Sequence, residues 1–201
     1  MKTLFILASI MAVLFLAAPN RIEAQKSAAI LTSSTEGATR GAKMASVHVV
    51  NAVLDADKDL AVRLRGCMTE NHIKKNAANK LFVSVLLPTI NKNQQIYFVR
   101  GAPNTDCFWA LIGAHAFNYW LVSLSNGTYE VRYSGSSDAI SILRSIHNGM
   151  YDIEEHSFTA TDASSARMQF DGSKYVETIC KEYHRTKRGK EVVKIVPCST
   201  F

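Results

Sequence analysis

The residue with the clearest capacity for chemistry is Cys107, which the aromatic residues Phe108 and Trp109 follow directly. A cysteine acts as a nucleophile when a helix start and a nearby histidine stabilise its thiolate. His147 or His156 would supply the base in such a site. Taken alone, these residues suit nucleophilic catalysis by a thiolate.

The same cysteine is also needed for an even cysteine count. The chain has four cysteines, and an even number in an exported protein predicts disulfide bonds. His147 stands in a His-Asn-Gly turn, and no third residue is placed to orient it. We therefore favour a structural role for Cys107. The run around it is similar to the nucleophile region of cysteine peptidases and amidases that cut peptidoglycan, and this resemblance implies a cell-wall hydrolase as the alternative.

The spacing of the last two cysteines predicts a disulfide bond across a hairpin. Cys180 and Cys198 lie equally far from Gly189, so a reversal at 188–190 places them opposite each other in an antiparallel pair. Directly opposite, non-hydrogen-bonded residues come within disulfide range. This bridge leaves Cys67 to pair with Cys107, although four cysteines allow three connectivities.

The tip of the same hairpin gathers positive charge. Such a tip is able to bind membrane lipid head groups, envelope polymers or an acidic protein, and nucleic acid is disfavoured because aromatic residues are sparse there. The simpler interpretation, which we favour, is a solvated hairpin whose charges prevent edge-to-edge pairing. The residues of the predicted anion or partner site are Arg185, Lys187, Arg188, Lys190 and Lys194.

The sequence contains no pattern that predicts a metal or a cofactor. The histidines are scattered, and no cysteine–histidine spacing matches a zinc site. Asp152 and Asp171 are expected to stabilise turns, because calcium needs about six to eight oxygen ligands and only scattered ones are visible. His115 stands in an apolar stretch and is expected to be a core residue. We therefore expect no metal and no cofactor.

The start of the chain predicts export. Lys2 precedes an apolar run at 4–18, which is shorter than the roughly 20 residues of a membrane span, and small residues lead to a cleavage point after Ala24. We interpret 1–24 as a signal peptide and expect a secreted or periplasmic protein. A retained membrane anchor is the alternative. No later segment is apolar enough to cross a bilayer.

The two segments that follow the predicted signal peptide differ in their content of apolar residues. Residues 25–41 are rich in small and polar side chains and are predicted to be flexible. Residues 42–80 have apolar positions at helical spacing and predict a helical preface. Two helices are expected there, with Asp57 or Asp59 capping the second and Gly66 ending it.

Residues 81–201 predict an antiparallel sheet, because β-prone runs alternate with turn signals every 10–15 residues or so. Asn126 and Gly127, between two alternating runs, form the strongest hairpin signal. The stretch 107–122 is ambiguous between a buried helix and two strands, and we favour strands. The prediction is a single α+β domain, 42–201, in which N-terminal helices pack on an antiparallel β meander stapled by disulfides.

Two turn-and-strand motifs within 129–180 carry a second resemblance. The residues that form them are Asn148, Gly149, Asp152, Ile153, Phe170, Asp171, Gly172, Tyr175 and Cys180. In these motifs the chain resembles small secreted or periplasmic bacterial proteins of unknown function. The resemblance implies an extracytoplasmic β meander and no particular activity.

These features together favour a secreted, non-enzymatic binding or accessory protein, such as an inhibitor or an envelope-associated factor. Its partner is expected to be another extracytoplasmic protein or an anionic envelope component, and the net charge of +6 is too small for a dedicated nucleic-acid binder. The alternative is the cell-wall cysteine peptidase or amidase that uses Cys107. A purely structural envelope protein is the third possibility.

Overall fold

A computed structural model describes residues 29–35, 37–112, 116–160, 162–186 and 190–198. The predicted signal peptide lies outside the described residues, and so do His115, Lys187 and Arg188.

The described residues form two antiparallel sheets. The five-stranded sheet has the strand order β2-β3-β4-β5-β6, and its strands are β2 (Lys43–Met44), β3 (Phe82–Leu86), β4 (Gln94–Gly101), β5 (Phe117–Ser125) and β6 (Thr128–Ser137). The six-stranded sheet has the order β1-β7-β8-β9-β10-β11, and its strands are β1 (Ala29–Ser34), β7 (Ala139–His147), β8 (Met150–Phe158), β9 (Asp162–Phe170), β10 (Tyr175–Arg185) and β11 (Glu191–Val196).

The α+β prediction is confirmed in its coarse form, since the described residues form mostly antiparallel sheet with helices and two disulfide bonds. The prediction of a single meander is wrong, because the chain changes sheets at Asp138. The main chain of Asp138 bonds to Thr35 and to His156, at 3.0 and 3.1 Å. Its carboxylate accepts a 2.6 Å hydrogen bond from the Phe158 amide. These bonds direct β7 away from β6 and into the second sheet.

Part of the segment 25–41, which the sequence predicts to be flexible, forms a strand. Ala29–Ser34 forms β1 and pairs with β7. Leu31 and Ser33 are buried, so the short β-prone run among small residues carries enough alternation to form an edge strand.

A buried arginine fastens this first strand to the five-stranded sheet. Arg100 of β4 is almost completely buried, and its guanidinium donates to Ser33 Oγ at 2.7 Å and to the Ser34 carbonyl at 2.5 Å. The same group lies over the ring of Phe117, 4.1 Å from its centroid. Burial lowers the pKa of Arg100 to about 10, so it stays charged at neutral pH.

The space between the two sheets is filled by one hydrophobic core, to which Phe98 and Phe117 contribute from one sheet and Ile140, Ile153 and Met168 from the other. A polar cluster crosses the same space. Tyr119 and Tyr133 both donate to one carboxylate oxygen of Glu155, and the Tyr133 bond is 2.7 Å long. Burial, followed by the nearby carboxylate, raises the pKa of both phenols, which remain protonated donors.

Two helices contribute to a second hydrophobic cluster with the other face of the five-stranded sheet. They are α1 (Val47–Ala56) and α2 (Lys58–Glu70), and two 3-10 helices cover Lys75–Leu81 and Phe108–Leu111. Asp57 caps α2 by accepting from the Leu60 amide at 2.9 Å, which confirms one predicted cap. Gly66 does not end this helix, because Cys67 and Met68 continue its buried face.

The ambiguous stretch 107–122 contains one element of each kind. A 3-10 helix covers Phe108–Leu111, and β5 begins at Phe117. The Asn126-Gly127 hairpin is confirmed, since both residues have positive φ and join β5 to β6. In the part of the chain that is described, we find no helix with the length and hydropathy of a membrane span.

Candidate functional site

Both predicted disulfide bonds are present. Cys67 of α2 is bonded to Cys107, with 5.7 Å between the Cα atoms, and Cys180 is bonded to Cys198, with 5.1 Å. None of the cysteines in the described chain is free. This oxidation state is consistent with an extracytoplasmic environment.

In the hairpin that carries the second bridge, the pairing of residues between the two strands differs from the predicted pairing. Cys180 lies opposite Val196 and not opposite Cys198, which follows the end of β11. The strand pairing is offset by two residues from the predicted one, and the Thr186 amide donates to the Lys190 carbonyl at 2.9 Å. The bridge therefore closes the open end of the hairpin and does not cross its ladder.

The residues of the predicted cysteine hydrolase are not brought together. The Cys107 sulfur is buried and bonded to Cys67, in the cluster on the helix side of the five-stranded sheet. His147 and His156 belong to β7 and β8 of the other sheet. A disulfide sulfur is not a thiolate, so this arrangement offers no nucleophile to either histidine.

His147 belongs to a different polar network, which is centred on Asp152. The Asp152 side chain is completely buried, and its two oxygens lie 2.6 Å from His147 Nδ1 and 2.7 Å from Arg167 Nη2. Ser145 donates to the second oxygen at 2.7 Å. Burial acts to raise the pKa of Asp152, but the bonds from Arg167, Ser145 and His147 lower it overall. The carboxylate is therefore ionised and joins β7, β8 and β9.

The predicted basic tip is interleaved with acidic residues. Arg185 lies opposite Glu191, and Lys194 lies opposite Glu182. His184 bonds to Asp162 at 2.8 Å and to Glu182 at 3.3 Å. These contacts, the side-chain hydrogen bonds first, raise the pKa of His184. Lys190 is exposed immediately before β11, while Lys187 and Arg188 lie in the part that is not described. The described tip is thus of mixed charge.

A row of apolar side chains crosses four strands on the outer face of the six-stranded sheet, which is the face turned away from the five-stranded sheet. Phe158 lies opposite Ala163, Ala163 opposite Tyr183, and Tyr183 opposite Val193. Side chains alternate along each strand, and each of these four residues differs by an odd number of sequence positions from a residue of the inter-sheet core on its own strand, as Phe158 does from Ile153 and Tyr183 from Cys180. We call Phe158, Ala163, Tyr183 and Val193 the outer row.

The outer row is accessible. Phe158 is 54% exposed and Val193 50%, and Ile195, two residues further along β11, is 74% exposed. Tyr183 is half-buried, and its hydroxyl lies 3.2 Å from Ser165 Oγ, so the ring is held in position. The ring of His156 stacks parallel to Phe158.

Shallow grooves lie on both sides of Phe158. One, of about 460 Å³, is lined by Phe158, Tyr183, Arg185 and Glu191 among others. The second, of about 380 Å³, lies where β1 meets β7, and Thr32 and His156 belong to its lining. Phe158 therefore separates two shallow grooves on the surface.

Sequence reasoning did not identify the outer row. Its residues stand in four separate segments of the sequence, and no local pattern links them. The sequence of 191–196 does not show which of its apolar side chains stay exposed. Their exposure depends on whether another strand pairs with β11, and none does in the described sheet.

Comparison of the chain with protein-family models, curated proteins and solved structures finds no match. The resemblance to small secreted bacterial proteins gains no support from these comparisons, so function is argued from the geometry alone.

Proposed function

We propose that this chain is a secreted binding or accessory protein of the extracytoplasmic space, which acts without catalysis and recognises another protein through the outer row. The observation that carries the proposal is the register of β8 to β11, which aligns Phe158, Tyr183 and Val193 on one exposed face. Exposed apolar side chains that form a continuous patch are a mark of interaction sites.

The composition of the patch supports protein recognition. Aromatic anchors at the centre and polar residues at the rim are typical of protein interfaces. Phe158 and Tyr183 are the anchors here. Arg185 and Glu191 form one rim, and Lys181, which pairs with Glu154 at 3.6 Å, forms another.

The disulfide supports the proposal through rigidity. The outer row ends on β11, an edge strand that pairs with β10 alone in the described sheet. The Cys180–Cys198 bond closes this hairpin at its end. A surface that is already ordered loses less conformational entropy on binding, so the bridge favours affinity as well as stability.

The rest of the architecture is part of the same proposal. The helices act as a cover for one face of the five-stranded sheet, and the inter-sheet core occupies its other face. The outer face of the six-stranded sheet is then the surface that remains for a partner. The predicted signal peptide and the oxidised cysteines support an extracytoplasmic location.

Site-specific photo-crosslinking tests this proposal. A photoreactive phenylalanine analogue replaces Val193 of the mature chain, and the same analogue replaces Val62 of α2 as a matched control, since Val62 is 59% exposed. Both proteins are incubated with the extracytoplasmic fraction of the source cells and irradiated. We expect a defined protein adduct from position 193 and none from position 62. Equal labelling at both positions, or no adduct at 193, would overturn the proposal.

A further inference from the structure

The positive charge of the molecule is concentrated away from the hairpin. Residues 81–201 hold twelve Lys and Arg against eleven Asp and Glu, whereas residues 40–80 hold eight against four. The helical segment therefore carries the larger share of the net charge, although the sequence pattern drew attention to the hairpin.

Four lysines lie at one margin of the five-stranded sheet. Lys43 belongs to β2, the edge strand, and Lys75 and Lys80 belong to the 3-10 helix Lys75–Leu81, which leads directly into β3. Lys74 immediately precedes that helix. All four side chains are exposed, and none forms an ion pair with another described residue. We call Lys43, Lys74, Lys75 and Lys80 the lysine edge.

The elements that build this edge contain no acidic residue. Neither 37–54 nor 71–105 includes an Asp or a Glu, and these segments contain β2, β3 and the 3-10 helix between α2 and β3. The 3-10 helix is held close to β2, since Asn79 donates to the Ala45 carbonyl at 3.4 Å. The four charges thus add to one another and are not neutralised within their own elements, unlike those of the hairpin.

Apolar side chains accompany the lysines. Leu86, at the end of the neighbouring β3, is 53% exposed and lies on the same face of the sheet as Lys43, which pairs with Ser84. Met44 is 60% exposed and points to the opposite face of the edge strand. Lysines beside exposed unbranched or γ-branched apolar residues are typical of surfaces that rest on a lipid headgroup layer, where the charges meet phosphate and the apolar groups reach the acyl boundary.

We infer that the lysine edge docks the protein on a membrane surface that contains anionic lipid. The charge of the edge is complementary to that surface, and the exposed Leu86 on the face of Lys43 favours lipid over a fully hydrated polyanion. This contact is separate from the outer row, which lies on the other sheet, so the protein can be held at a membrane while its protein-binding face stays open.

Vesicle co-sedimentation tests the inference with the purified mature chain. The vesicles contain phosphatidylcholine alone or phosphatidylcholine with about one-third phosphatidylglycerol, each at low and at physiological salt. The variant carries K74E, K75E and K80E. The matched control carries R144E, K174E and K190E, which change the net charge equally on the six-stranded sheet and are also exposed. Circular dichroism and thermal unfolding show that each variant is folded. If either is not, K74Q/K75Q/K80Q and its matched control R144Q/K174Q/K190Q replace the glutamate pair.

We expect the wild-type chain to bind the anionic vesicles and not the neutral ones, with weaker binding as salt rises. Each cation removed should lower the partition coefficient about fivefold, so the edge variant should lose binding on the order of 100-fold and the control far less. Absence of binding to anionic vesicles, or equal losses in the two variants, would contradict the inference. Heparin that binds as tightly as the vesicles, with the same dependence on the edge, would assign the site to a soluble polyanion and overturn the lipid assignment.

Discussion

Tyr183 of β10 lies directly opposite Val193 of β11, and both side chains stand on the outer face of the six-stranded sheet. The pair joins the last strand of the sheet to the aromatic anchor beside it. Its position depends on the hairpin register, which the Cys180–Cys198 bond secures at the open end. The geometry of the binding face and the disulfide chemistry are therefore linked.

Removal of either disulfide bond should lower the free energy of unfolding, and the loss should be larger for the bond that closes the longer loop. The Cys180–Cys198 bond spans 18 residues and the Cys67–Cys107 bond spans 40. In the chain-entropy model these loops correspond to about 3 and about 4 kcal/mol of stability. Denaturant unfolding of C180A/C198A and C67A/C107A measures both. An unchanged free energy of unfolding in either double variant would show that the bridge is not formed in the folded protein.

Asp152→Asn should destabilise the protein by roughly 2–4 kcal/mol at pH 7, because it removes a buried carboxylate that satisfies Arg167 and Ser145. His147→Gln is the control and should cost less than about 1 kcal/mol, since the His147 side chain is 44% exposed.

The Asp152 effect should also depend on pH. The pKa of Asp152 is lowered in the folded state, so its stabilisation is fully present above the ordinary carboxyl pKa of about 3.9 and is lost as pH falls through the folded value. The difference in stability between wild type and Asp152→Asn should therefore shrink in acid. A difference that stays the same from pH 7 to strongly acidic solution would disprove the ionised carboxylate.

Arg100→Met should loosen the attachment of β1 to the five-stranded sheet. The substitution removes the donors to Ser33 and Ser34 and should cost roughly 2–3 kcal/mol, because it leaves buried acceptors unsatisfied. Arg100→Lys should recover little, since an ammonium lacks the planar fork of donors. Arg132→Lys, at a partly exposed pair with Glu130, should change stability by less than about 1 kcal/mol. Hydrogen exchange of the β1 amides should accelerate only in the Arg100 variants. If these amides are protected from exchange as well as in wild type, Arg100 does not hold β1 in place.

His184 should titrate above its ordinary pKa of about 6.5, because Asp162 and Glu182 stabilise the imidazolium. The stabilisation from these contacts is present below that ordinary pKa and is lost as pH rises through the raised value. Titration of the imidazole by NMR in wild type and in Asp162→Asn measures the shift. The variant should return toward the ordinary value, and identical titration curves would remove Asp162 as the cause.

Local patterns predicted much of the β region. The Asn126-Gly127 turn, the Asp57 cap and the two disulfide pairings all depend on residues close in sequence or on cysteine parity. The change of sheet at Asp138 was not predictable, because no local signal distinguishes a strand that pairs with its predecessor from one that crosses a core. The same reason explains β1, whose pairing partner lies more than 100 residues away.

The candidate site was predicted less well, for a physical reason. Lys194 and Arg185 look like a basic site in sequence, but strand pairing sets Glu182 and Glu191 opposite them. The exposed row of Phe158, Tyr183 and Val193 requires the register of four strands, which sequence alone does not supply. Charges that act from separate elements, as on the lysine edge, are missed for the same reason.

The most direct test is the affinity of the partner captured at position 193 for alanine variants of the outer row. Phe158→Ala and Tyr183→Ala are compared with Val62→Ala on α2 by surface plasmon resonance, after thermal unfolding has shown that each protein is folded. We expect each anchor variant to weaken binding about 10- to 100-fold, as interface anchors do, and Val62→Ala to stay within about twofold of wild type. Affinities of the two anchor variants that equal the wild-type value would contradict this expectation.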